Sequence, residues 1–353
     1  MQNINNQYNS APYTMPPAYI QPKPDPKYTE KRSLRKTSNG LGFFLVVYYL
    51  VMQIVITVLV SVLKGLNGVT DELVYSVEVF VYAVSPLTAC FFYRVISKNR
   101  ISDYFPKSHV PMKKLVPMIL IGMAAAMIAN EFAIMFDNNI SMFNLKNYAQ
   151  SDDATQTWMQ LVFTFITTAI LPAFAEEIAF RGVFMGVMRK YGDAFAILSS
   201  ALVFGLMHGN TTQIVFAFTL GLIFGYLDCK ANSIVPSVIL HFANNFYAIL
   251  RDGMNTYLNN DTANILFAST LIVTFCLLGI LSFIYLSRAD KQFFKLSNSD
   301  KNCFSDTDTL TLKEKFSSFF ATPGIIVFCA MLITETVYNL IPKETLSLLM
   351  GAS

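Results

Sequence analysis

Two adjacent glutamates, Glu176 and Glu177, sit in a stretch that otherwise reads as lipid-facing helix. Between Trp158 and Met188 the only charges are Glu176, Glu177 and Arg181. A charged side chain at the centre of a bilayer costs about 3 kcal/mol on insertion scales, so intramembrane charges mark chemistry or ion movement. Glu177 and Arg181 are spaced i,i+4, share a helix face and can pair. Glu176 lies about 100° round the helix from Glu177 and is left available. A second carboxylate beside it in low dielectric disfavours charging both. A carboxyl poised between charged and neutral is what a general base needs.

The chain has three histidines. His109 lies in a basic loop between Pro106 and Pro111 and reads as surface. His208 ends an apolar run, with Phe204 one turn earlier; His241 lies within another run, with Asn245 at i+4. Helical rise puts Glu176 roughly 21 Å in from Arg189 and Lys190. The same measure puts His208 roughly 21 Å in from Ala194, and His241 roughly 16 Å in from Lys230. Three helices thus carry Glu, His and His to a similar depth from one side. This set suggests hydrolysis, with Glu176 taking a proton from water and His208 helping to hold that water. His241 and Asn245 would donate to the oxyanion of a tetrahedral intermediate. Two His and a Glu could instead bind zinc, with Glu176, His208 and His241 as the ligands. Each residue also has a plainer reading: a buried ion pair for Glu177 and Arg181, a satisfied core histidine, packing for Phe204, an interhelical bond for Asn245.

The elements that must carry these groups are membrane helices. Of 353 residues, 54% are hydrophobic and 14% charged, with a mean hydropathy of +0.45. A soluble domain carries about 25% charged residues. Apolar runs fall at 41–63, 73–95, 115–136, 158–188, 194–208, 213–228, 232–250, 264–286 and 323–341. The expected fold is an all-α polytopic bundle of eight or nine transmembrane helices with an intramembrane active-site cavity. Lys and Arg cluster before the first run and after the second, fourth, sixth and eighth, so the N-terminus is expected to be cytoplasmic. Residues 1–40, with Pro12, Pro16, Pro17, Pro22, Pro24 and Pro26, read as a disordered tail rather than a signal peptide. Residues 41–136 form the N-terminal helices, 155–250 a catalytic core, and 264–341 the C-terminal helices with a basic loop over 287–322. The net charge of +3 reflects basic loops and gives no sign of a nucleic-acid surface. The five cysteines show no metal spacing and read as reduced packing residues. Gly221 and Gly225 make a GxxxG, which permits close helix contact.

The ordered motifs Glu176-Glu177-Ile-Ala-Phe-Arg181, Phe204-Gly-Leu-Met-His208 and His241-Phe-Ala-Asn-Asn245 resemble the CAAX protease and bacteriocin-processing (CPBP, or Abi) family of intramembrane proteases. The resemblance covers about 155–250. It implies a membrane-helix bundle with a conical, cytosol-facing cavity. Glu176 then matches the water-activating glutamate, Glu177 and Arg181 the supporting pair, His208 and His241 the active-site histidines, and Asn245 the oxyanion contributor. The implied partners are the bilayer and a membrane-associated, in some relatives lipidated, peptide or protein. The cofactor is either none or a divalent metal such as zinc. Two other classes remain open on the sequence: an ion- or proton-coupled transporter, and a non-catalytic scaffold or bacteriocin-immunity protein.

Overall fold

The computed structural model describes residues 25–66, 69–98, 101–103, 105–141, 158–258, 260–294 and 309–341. Ten helices run through them. They are α1 (Pro26–Lys64), α2 (Asp71–Ser97), α3 (Met112–Ser141), α4 (residues 158–188), α5 (Asp193–Leu206), α6 (Thr211–Ala231), α7 (Val235–Leu258), α8 (Asp261–Ala289), α9 (Leu312–Phe320) and α10 (Pro323–Asn339). The described residues are helical, with no named strand. The all-α polytopic expectation holds.

Each of the nine apolar runs became a helix, yet fewer cross a membrane on length and composition. Six helices qualify, or seven if α9 and α10, bent by 77°, count as one span. Among the described residues this count is roughly consistent with the expected polytopic bundle. The 14 residues of α5 reach only about 21 Å, short of the ~30 Å hydrocarbon core. The 24-residue α7 is long enough but carries His241, Asn244, Asn245, Arg251 and Asp252. Both are helices that neighbours must enclose.

The tail expected over 1–40 falls only partly within the described residues. Residues 1–24 lie outside the described residues, and from Pro26 the chain is helical. Asp25 caps this helix by accepting from the Lys27 N–H, with Pro26 at the first helical position, a start signal the polar composition obscured. The loop expected over 287–322 also differs: 295–308 lie outside the described residues, and Leu312–Phe320 is helix with a Thr311/Glu314 capping box.

Large apolar side chains cover the outside as well as the core, and a few charges lie within. The bulkiest fully buried side chain is Arg181, while Phe80, Leu87, Phe91, Ile265 and Leu266 are each more than 60% exposed. Apolar surface outside and charge inside is the pattern a lipid solvent demands. Two small-residue crossings bring helices to backbone contact. A Cβ on Gly221 would lie 2.8 Å from the Ala201 Cα, joining α6 to α5, and one on Gly42 would lie 2.3 Å from the Gly324 carbonyl carbon, joining α1 to α10.

Candidate active site

The site is built on a helix that is not a regular α-helix. Two π-helical stretches, Phe165–Ile170 and Ile178–Met185, bracket the α-helical Leu171–Glu177. Such widened turns are rare and release backbone groups from the regular ladder. Neighbouring helices donate to two carbonyls within these stretches. Pro172 has no N–H to give the Thr168 carbonyl four residues back, and Asn245 Nδ2 of α7 donates to that carbonyl at 2.8 Å. Within the second stretch, Ser200 of α5 donates to the Phe180 carbonyl at 3.1 Å. The irregular helix is therefore docked on α5 and α7 at the turns flanking Glu176 and Glu177.

Glu177 and Arg181 are fully buried, and Glu176 and His241 nearly so. Arg181 Nη1 donates to Glu177 Oε1 at 3.1 Å. The same oxygen takes a hydrogen bond of 2.7 Å from His241 Nδ1. Glu177 thus orients the imidazole as well as neutralising the guanidinium. His241 Nε2 is turned toward Glu176, 3.9 Å from Oε2. The other oxygen of Glu176, Oε1, accepts from the Tyr82 hydroxyl of α2 at 2.7 Å. Oε2 has no partner among the described residues. The two carboxyl groups thus have different environments: Glu177 is tied to Arg181 and His241, and Glu176 is held by one oxygen with the other facing the histidine.

Phe204, read from the sequence as packing, has a larger part. Its ring lies 4.2 Å from the Arg181 Cζ, a desolvated cation–π contact of the kind worth about 2 kcal/mol. The same ring meets His208 at 5.0 Å and His241 at 6.0 Å, edge-on in both cases. His208 lies just beyond the end of α5, with Nδ1 2.9 Å from the Phe204 carbonyl. A carbonyl only accepts, so Nδ1 carries the proton and Nε2 is the nitrogen left for other work. His208 joins the cluster through Phe204.

The structure thus gathers Glu176, Glu177, Arg181 and His241 directly. His208 stands at their edge, and Asn245 is committed to the α4 backbone. The trio Glu176, His208 and His241 does not form a metal-type group. Among the described residues no set of three or more His, Cys, Asp or Glu side chains is arranged to hold a metal ion. Two cavities, of about 400 and 530 Å³, are lined respectively by Glu131, Arg251 and Asp261 among others, and by Phe105–Val110 with Ser233–Val235. Neither of these two is lined by Glu176 or His241.

Two contributors were missed. Tyr82 lies on a helix far from the motifs, and a tyrosine in an apolar run usually reads as packing. Asp228, fully buried at the end of α6, accepts from the Ser237 N–H at 3.0 Å. It thereby caps the first turn of α7, the helix that carries His241. A carboxylate in an apolar run beside Ser233 and Ser237 was the available signal.

Residues 158–247 match the family model described as type II CAAX prenyl endopeptidase Rce1-like. The resemblance to CAAX proteases is borne out at the level of the family over that segment. No curated protein and no solved structure gives a significant match.

Proposed function

We propose that the chain is an intramembrane endopeptidase of CAAX-protease type, which hydrolyses a peptide bond of a membrane-associated protein or peptide with Glu176 activating the water. The observation that carries this reading is the pair Glu176 Oε2 and His241 Nε2, facing each other at 3.9 Å. That separation is too long for a direct hydrogen bond and fits one bridging water.

In this reading Tyr82 holds Oε1, so Oε2 is the oxygen that takes the proton. The resulting hydroxide adds to the scissile carbonyl, and Glu176 returns the proton to the leaving amine. With Nδ1 bonded to Glu177, His241 presents Nε2 to the reacting atoms; as an imidazolium it donates to the oxyanion. Glu177 and Arg181 fix that ring. His208 offers Nε2 at the edge of the same space and helps to hold the water. Asn245 holds α7 against the break in α4, which sets the height of His241. No step is routed through a metal, because the three candidate ligands are not gathered into a binding group.

The basic end of the bundle, where Arg189 and Lys190 close α4, faces the cytoplasm in this reading. The family match favours a substrate with a lipidated C-terminal tail. The test is a panel of membrane-tethered reporter peptides, lipidated and not, incubated with the protein in proteoliposomes with and without a chelator. The reading expects one defined cleavage that survives chelation. No cleavage across the panel overturns it, and loss of cleavage on chelation with recovery on adding zinc overturns the metal-free route.

A further inference from the structure

The matched segment ends at residue 247, and α9 and α10 lie outside it. They nevertheless hold both ends of α5, the short helix that leads to His208. At one end, Phe195 packs edge-on against Phe316 at 5.1 Å and Phe319 at 6.1 Å. Phe319 also meets Phe184 of α4, and Lys315 Nζ donates to the Tyr191 carbonyl at 2.6 Å, just before α5 begins.

At the other end, the chain leaves α5 through His208 and Gly209. Gly209 has φ +59°, and a Cβ there would lie 2.9 Å from the Glu335 carboxyl carbon. The carboxyl of Glu335 is therefore packed on this turn. Its Oε2 accepts from the Tyr49 hydroxyl of α1 at 2.6 Å. One turn further along α10, Asn339 Nδ2 donates to the Gly209 carbonyl at 2.9 Å. The arm that makes these contacts is itself fixed. α10 meets α1 backbone to backbone at Gly324 and Gly42, and the Gly324 N–H donates to Asn39 Oδ1 at 2.9 Å.

A glutamate and an asparagine on a membrane helix are costly unless used. Asn339 is bonded to the residue next to His208, and Glu335, held by Tyr49, packs on that same residue. We propose that Glu335 and Asn339 are positioning residues for His208: α9 and α10 form a brace that clamps α5 at both ends and sets where the imidazole stands. The catalytic consequence rests on the protease reading, in which His208 serves the water; the positioning does not.

The three histidines of the chain make the test direct. Full-length protein labelled with ¹⁵N-histidine in micelles gives ring signals from His109, His208 and His241, and His208→Asn assigns one set. Asn339→Ala and Glu335→Ala are expected to move the His208 signals and leave those of His109 in place. In the reporter assay kcat should fall about tenfold to a hundredfold, as for a misplaced group, with KM little changed and a near-native melting temperature. Glu335→Gln keeps an oxygen for Tyr49 and should restore both readouts. His208 signals that stay in place in Asn339→Ala and Glu335→Ala overturn the proposal, as does a Glu335→Gln protein no better than Glu335→Ala. Wild-type protein that cleaves nothing while these variants still shift His208 refutes the protease reading and leaves the brace intact.

Discussion

At the scale of residues, the main point is a division of labour between two neighbouring carboxylates. Glu177 accepts from both Arg181 and His241 through one oxygen. Glu177→Gln leaves Arg181 buried without its counter-charge, a change that costs about 3–5 kcal/mol in such pairs. We expect a large drop in melting temperature in detergent together with loss of cleavage; an unchanged melting temperature would contradict the role of the pair. Tyr82 is a milder case. Tyr82→Phe removes one hydrogen bond to a charged group, worth about 1.5–3 kcal/mol. It should lower kcat by about one to two orders of magnitude with a drop in melting temperature smaller than that of Glu177→Gln, and steady-state kinetics beside a thermal melt decide it. Glu176, Glu177, Arg181 and His241 were legible because charges in an apolar run have few explanations and i,i+4 spacing fixes a face. The bond from Glu177 to His241 was not legible, because only the packing of α7 on α4 creates it. Tyr82 was invisible for the same reason. Asn245 was placed on the right face with an oxyanion role, and the structure commits one of its N–H bonds to Thr168.

At the scale of elements, the glutamates sit between two widened turns, and α5 and α7 each bind a carbonyl within them. Apolar periodicity read residues 158–188 as one long run but could not show the π-helical stretches, since a widened turn leaves no composition signal. Pro172 was the one visible hint of a break. The short α5 and the polar α7 were legible as helices, and their lengths and polarity explain why they need enclosing. The GxxxG of α6 proved to be a contact: Gly221 lies against Ala201, and Gly225 faces Met185 and Ile197. Gly221→Val should therefore destabilise the bundle by about 1–3 kcal/mol, as overpacking does, with α5 pushed away from α6. Denaturant titration of the two proteins checks this, and equal stability would contradict the close crossing.

At the scale of the whole molecule, lipid as solvent explains the exposed apolar surface, with Phe80, Phe91 and Leu87 on the outside while Arg181 is fully buried. Hydropathy located nine helices, and among the described residues six helices, or seven spans if the bent pair counts as one, are long and apolar enough to cross a membrane. The polar residues 25–40 belong to α1, anchored by Leu34, Ser38 and Leu41, and by Ser33 and Thr37 bonded to the Tyr191 hydroxyl. The distribution of Lys and Arg predicts that this end faces the cytoplasm. A tag at the N-terminus should be digested by protease added to inside-out vesicles and protected in intact cells; the reverse pattern would invert the proposed topology. The brace also belongs to this scale, since it gives the C-terminal helices a part in placing His208.

The central claim is that Glu176 activates the water. The most direct measurement compares wild type with Glu176→Gln, at matched folding, in cleavage of one membrane-tethered reporter under single-turnover conditions. Glutamine keeps the shape and the oxygen that accepts from Tyr82 but cannot take a proton. The account predicts cleavage by the wild type and none above background by the variant. Equal rates from the two proteins would contradict it.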